Sequence, residues 1–327
     1  MRYRYGMVAV LMSVNALFAQ MTWTMAKESP GWSSRLYHTS LFHNNYLWLL
    51  GGSGMYNDYN DVWCSVDGTD WQIVTPAAGW SPRSGFASVA FDGKIWVLGG
   101  GGGGEGNDVW CSTNGASWTR ITAHAGWSPR NGHSAVVFDD KIWIIGKEDS
   151  TGARNDVWHS TDGLAWTEAT GSAAWSPRSY HSAAVFFGKI YVLGGHDYYN
   201  QLIMNDVWYT SEGANWTRAT AAPGWSPRLC FSTAKTSWNL WVLGGATGIH
   251  SGITDDVWYS SNGTSWTRAT DSAGWSARAA HTSVVSSDQR IWVIGGTDRS
   301  KALGDAWYSV GLGVEESFTS RVAGSEP

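Results

Sequence analysis

The chain has 327 residues, and its 24 Trp and 40 Gly against 8 Pro form a strand-and-turn composition that excludes a disordered segment and a helical bundle. Its formal charge of −5 comes from 22 basic and 27 acidic residues that are scattered rather than blocked, so neither nucleic acid nor an anionic membrane is expected as a partner. Cys64, Cys111 and Cys230 cannot all pair with one another, so they are read as packed thiols rather than a disulfide framework.

The chain opens with Arg2 and Arg4, an apolar run from Gly6 to Ala19, and small residues at Ala16 and Ala19. That is the pattern of a secretory signal peptide over residues 1–19, too short to span a bilayer comfortably. Export to the extracellular space, or to the periplasm of a bacterium, is the expectation. Loss of both arginines would leave 20 basic against 27 acidic residues. No later segment is apolar enough for an anchor, so no membrane insertion of the mature chain is expected. The sequons Asn215-Trp-Thr and Asn262-Gly-Thr matter only in a eukaryotic host.

From residue 20 to about 310 the sequence repeats. Trp32, Trp80, Trp127, Trp175, Trp225 and Trp275 recur at spacings of 48, 47, 48, 50 and 50, within the range of four-stranded propeller blades. In each unit an alternating run such as His133–Phe138, a tight turn and a stretch such as KIWIIG predict two strands, a and b. A variable segment follows, then an NDVW-like motif, a turn with Asp-Gly, Asn-Gly or Glu-Gly, and another Trp. These predict strands c and d joined by a hairpin. The c-strand Trp and d-strand Trp are always eight apart in the first five units, as in Trp63 and Trp71, and the next Trp follows after nine. Length varies between strands b and c, which places the adaptable loops there. Residues 311–327 read as a short polar tail without structure.

Trp23 and Trp32 are also nine apart, so the stretch around Trp23 matches a d strand with no a, b or c before it. The sixth unit ends after Asp305-Ala-Trp307 without a d-strand Trp. The N-terminal strand is therefore expected to complete the last blade and close a ring. The double glycines Gly51-Gly52, Gly99-Gly100, Gly194-Gly195, Gly244-Gly245 and Gly295-Gly296, together with the spaced aromatics, resemble those of the kelch-repeat β-propellers. Lys147 replaces the second glycine in unit three. The resemblance implies an all-β, six-bladed propeller of four-stranded kelch-like blades.

With strand a at the channel, the d–a links and b–c loops share one face, where function is expected. Two repeated sets lie on that rim: Arg35, Arg83, Arg130, Arg178, Arg228 and Arg278, and Asp61, Asp108, Asp156, Asp206, Asp256 and Asp305. They are read as structural ion pairs tying blades together rather than as an anion site, because residues kept by every repeat serve the repeat. The column three after each arginine reads His38, Phe86, His133, His181, Phe231 and His281. Phenylalanine in two blades makes packing the common requirement, so no metal and no cofactor are expected. The run Gly99–Gly104 lacks the Lys-Ser/Thr ending of a phosphate loop. Segments such as Ser160–Trp166 resemble the turn elements called Asp-boxes and imply no hydrolysis.

The residues that break the repeat on this face are the candidates for ligand contact: Tyr56, Tyr59, Glu105, Arg154, His196, Tyr198, Tyr199, His250 and Arg299. The expectation is a monomeric, noncatalytic binding scaffold for a protein or a glycan. The resemblance also admits a sugar-modifying enzyme, a sialic-acid mutarotase or a galactose-oxidase-like copper enzyme. The first would need an acid–base pair from Glu105, Glu148 or His196; of the thioether partners needed by the second, only Cys230 lies near the channel. An intracellular interaction domain of the kind found beside ubiquitin-ligase modules is the third reading.

Overall fold

The computed structural model describes residues 21–103, 106–149, 152–250 and 252–311. The expected leader 1–19 lies outside the described residues, as does all of the expected tail beyond Gly311. Six four-stranded antiparallel sheets follow one another around a ring, and the innermost strands contact in a closed circuit from the first blade to the sixth and back. In blade three, Ser134–Phe138, Lys141–Asp149, Gly152–Ser160 and Thr167–Thr170 pair in that order from channel to rim. Beyond the blades, Arg83–Ser84 pairs with Gly101–Gly102.

Blade six is assembled from both ends of the chain. Thr282–Val285, Ile291–Ile294 and Ala306–Val310 are completed by Thr22–Lys27, with Thr22 opposite Val310 and Met25 opposite Trp307. The clasp also reproduces side-chain packing. In the other blades the d-strand Trp meets the preceding link Trp edge to face, as Trp118 does with Trp80 at 5.8 Å. Trp23 meets Trp275 in the same way at 5.9 Å.

Each b strand is covered on both faces by neighbouring blades, which is why it reads as a continuous apolar run rather than an alternating one. Leu49, Leu50, Val97, Leu98, Ile144 and Val192 are fully buried there. The double glycine lies inside the last residues of this strand in blades one, four and five and just past its end in blades two and six. The first glycine takes φ near +50 to +61° and lies under the column residue of the next blade, as Gly51 does under Phe86. The second lies against the column residue of its own blade, where a Cβ on Gly52 would stand 2.5 Å from Cβ of His38. At Gly51 and Gly52 no side chain fits without displacing its neighbours.

The arginine–aspartate pairs exist in all six blades, each within its own blade: Arg35–Asp61, Arg83–Asp108, Arg130–Asp156, Arg178–Asp206, Arg228–Asp256 and Arg278–Asp305. Contrary to the expectation from sequence, the side chains therefore do not tie blades together; the arginine's peptide group does. Arg278 N donates to Thr254 O of the preceding blade, and Arg278 O accepts from Gly245 N of that blade. The guanidinium itself is buried. Arg83 donates from Nε to Ser81 O, from Nη1 to Gly99 O and Asp108 Oδ1, and from Nη2 to Asp108 Oδ2. Trp110 Nε1 donates to the same carboxylate at 2.7 Å.

Two outcomes are expected. Burial pushes the Asp108, Asp206, Asp256 and Asp305 carboxyls up, but the guanidinium bonds and charge outweigh it and hold them below the usual range. Their stabilisation is thus complete above the unfolded value of about 3.9 and is lost as pH falls through the lowered folded values. Asp108→Ala strands a buried guanidinium and should cost about 3–5 kcal/mol in chemical denaturation; a loss below about 1 kcal/mol would contradict the network. A chain beginning at Ser29 should expose the edge of blade six, associate in size-exclusion chromatography and unfold at lower denaturant. Unchanged elution and midpoint would show that the clasp is dispensable.

Candidate functional site

At the b–c face, the residue before each column position closes the channel mouth. Tyr37, Gly85, Gly132, Tyr180, Cys230 and Ala280 all adopt left-handed backbone, with φ from +49 to +61°. Each N–H donates to the carbonyl of the corresponding residue in the preceding blade. The bonds run Tyr37 to Ala280, Gly85 to Tyr37, Gly132 to Gly85, Tyr180 to Gly132, Cys230 to Tyr180 and Ala280 to Cys230, at 2.7–3.0 Å. The result is a closed head-to-tail circle of peptide groups in which each bond polarises the next. Four residues other than glycine hold a conformation that is uncommon for them, and the circle is what over-determines it.

The side chains on this circle are large at two opposite blades and small at the other four. Tyr37 and Tyr180 meet across the mouth with ring centroids 5.5 Å apart. The Tyr37 hydroxyl lies 3.6 Å from Cys230 Sγ, and the Tyr180 hydroxyl donates to Asn131 Oδ1 at 3.4 Å. The Cys230 thiol, burial and Tyr180 hold the Tyr37 phenol well above its usual range, so it remains protonated and serves as a donor, not a base. The two tyrosines bar the mouth and leave one half open over Gly85. There a cavity of about 380 Å³ is lined by Leu36, Tyr37, Ser53, Met55, Ser84, Asn131 and Tyr180 and by the backbone of Gly54, Gly85 and Gly101.

Beneath the circle a smaller space of about 120 Å³ is walled by the column residues. His38 Nε2 and His281 Nε2 contact the hydroxyls of Thr282 and Ser232 on the preceding blades, at 3.0 and 2.8 Å. The imidazoles of His133 and His181 occupy the places that phenylalanine takes in blades two and five. Burial, then the neighbouring arginine, lowers all four, to about 3 for His181 and His281. They fold as neutral rings. Among the described residues no group of three His, Cys, Asp or Glu could hold a metal ion.

The family model described as the KLHDC2/KLHL20/DRC7 Kelch-repeats domain matches residues 9–146 and 79–245. The chain belongs to the kelch-repeat family. No curated protein gives a significant match.

In this kelch propeller the sequence-derived contact residues fall into distinct environments. Tyr56, Tyr198 and Tyr199 stand on the b–c loops of opposite blades with 98, 52 and 59 % of their surface exposed. Arg154 and His250 are also exposed. Tyr59 instead turns inward and stacks over Arg35, 4.5 Å from its guanidinium carbon. His196 is buried, its backbone bridged to Ser179, because the b strand of blade four continues to Asp197. Arg299 donates to the carbonyls of Ile249 and Gly248 and so joins two loops. Glu105 lies outside the described residues, and Glu148 sits opposite Ala153 in the ladder of blade three. Lys147 is buried and donates to Ser128 Oγ.

Tyr37, Tyr180 and Asn131 are the site residues that sequence reasoning missed. A signal was present: two residues after each arginine the column reads Tyr, Gly, Gly, Tyr, Cys, Ala, unrepeated beside columns that repeat. On the opposite face, Phe187 and Trp238 are exposed on the a–b turns of adjacent blades.

The histidine column predicts a pH response. The unfolded chain binds protons below about pH 6.5 that the folded one refuses, so stability is full above that pH. It falls by up to about 1.4 kcal/mol per unit per histidine as pH drops toward the folded values. The double variant His133→Phe, His181→Phe copies Phe86 and Phe231 and should remove about half of this slope between pH 6 and 4. Denaturant titrations at several pH values measure it, and an unaltered slope would mean that these rings charge in place.

Proposed function

We propose that this kelch propeller is a monomeric, noncatalytic scaffold that binds a protein through its b–c loop face, and that it acts outside the cytoplasm after export. The observation that carries the reading is the contrast on one face. Every repeated arginine and aspartate there is paired within the scaffold, while Tyr56, Tyr198 and Tyr199 are exposed on loops of differing length around the mouth. Tyrosine supplies contact area at little entropic cost and is enriched where partners bind. Kelch propellers generally bind proteins. Export rests on Arg2, Arg4 and the apolar run to Ala19.

Two measurements test this. Peptides selected from a displayed library on the immobilised full chain should lose at least about tenfold in affinity for the triple variant Tyr56→Ser, Tyr198→Ser, Tyr199→Ser, with an unchanged melting temperature. Selected peptides that instead respond to Trp238→Ser would move the site to the opposite face. N-terminal sequencing of protein recovered from the medium or periplasm should begin after Ala16 or Ala19, and retention of the leader inside the cell would refute export.

A further inference from the structure

We infer that the half-open channel mouth is a binding site for a neutral pyranose, separate from the loop-borne surface that meets a protein. The reasons lie in what lines the cavity. Two tyrosine rings bound it on one side, and a ring with axial C–H groups stacks on such a face. The rest of the lining is mixed: Leu36 and Met55 add apolar surface, while the hydroxyls of Ser53 and Ser84, the carboxamide of Asn131 and the glycine backbone supply polar groups. A wholly apolar side chain placed there would strip water from these groups without replacing their hydrogen bonds. A sugar's hydroxyls replace them.

No ionisable acid or base other than Tyr37 and Tyr180 belongs to the lining, and the nearby ring arginines are neutralised by their own aspartates. An anionic sugar would therefore find no charged partner in the lining, since Arg299, whose charge acts on Tyr37, is engaged with the carbonyls of Ile249 and Gly248. With Tyr37 held protonated, the mouth offers donors and a stacking face but no general base. The volume of about 380 Å³ falls at the small end of ligand sites, and the closed circle of peptide bonds beneath gives it a floor.

The circle itself supplies variants that the fold accommodates, since its equivalent positions already hold Tyr, Ala and Cys at the same φ. Gly85→Tyr fills the open half, and a Cβ at Gly85 makes only ordinary contact, 3.5 Å from Asn131. Tyr180→Ala, which copies Ala280, removes one stacking face. The experiment is calorimetric titration of the full chain with glucose, galactose, mannose and N-acetylglucosamine. N-acetylneuraminic acid serves as the charged control and N-acetyltryptophanamide as the apolar one.

At least one neutral sugar should bind with Kd of about 1 mM or tighter, and both variants should weaken it at least about tenfold while still unfolding in a single cooperative transition. The loop variant Tyr56→Ser, Tyr198→Ser, Tyr199→Ser should bind that sugar as the parent does, so failure of the protein-binding reading would leave this result intact. The inference is overturned if no neutral sugar binds, if either control binds as well, if the mouth variants bind unchanged, or if the loop variant loses the sugar. Should one mouth variant fail to fold, the other decides.

Discussion

A buried guanidinium in every blade is the constraint around which this propeller is arranged. Removing a charged arginine from water is costly unless both its charge and its donors are answered, and here each answer dictates a residue. The counter-charge fixes an aspartate two residues before the strand-c tryptophan, and that carboxylate then accepts from its indole, as Asp256 does from Trp258. The remaining donors reach the carbonyl of the serine two residues before the arginine and that of the first glycine of the pair near the end of strand b. A link tryptophan lies against the guanidinium, 5.6 Å from Arg228 in the case of Trp225. One desolvated group thus joins the entry segment, strand b and strand c of a blade, and its peptide group passes the constraint to the preceding blade.

Because that scaffold repeats, it places one residue from each blade at the mouth in the same left-handed conformation and leaves its side chain free to differ. The peptide circle needs only backbone, so Tyr, Gly, Cys and Ala serve equally. Function is compatible with a repeat at such a column: the geometry is enforced six times over, whereas the chemistry is chosen once per blade. Two tyrosines facing two glycines create an asymmetric opening in an otherwise near-symmetric ring.

The ring, its blade count and its closure by Thr22–Lys27 were legible in the sequence, because tryptophan spacing reports strand lengths and because a lone d strand stood at the start and a unit lacking its d strand at the end. The arginine–aspartate pairing was legible too, although its placement within one blade was not, since recurrence reveals that two residues share a unit but not which copy they join. Loop membership misled at Tyr59 and His196. In blade four the ladder runs on past Gly195 to Asp197, so His196 belongs to a buried strand. Tyr59 opposes Gly52 in a ladder of its own, and its ring finds the guanidinium face below. Tyr37 and Tyr180 were overlooked because they adjoin the repeated column, and only the three-dimensional circle shows that they meet.

The clasp carries a consequence for how the molecule is presented. Thr22 and Val310 are paired neighbours on blade six, and both stand at the end of the sheet away from the b–c loops. Chain leading into the clasp and chain leaving it therefore depart side by side from the opposite face. Any module joined at either end of the clasp would hang the ring with its mouth turned outward. Two linkers attached there would also pull on the same two antiparallel strands, at one shared end of their ladder.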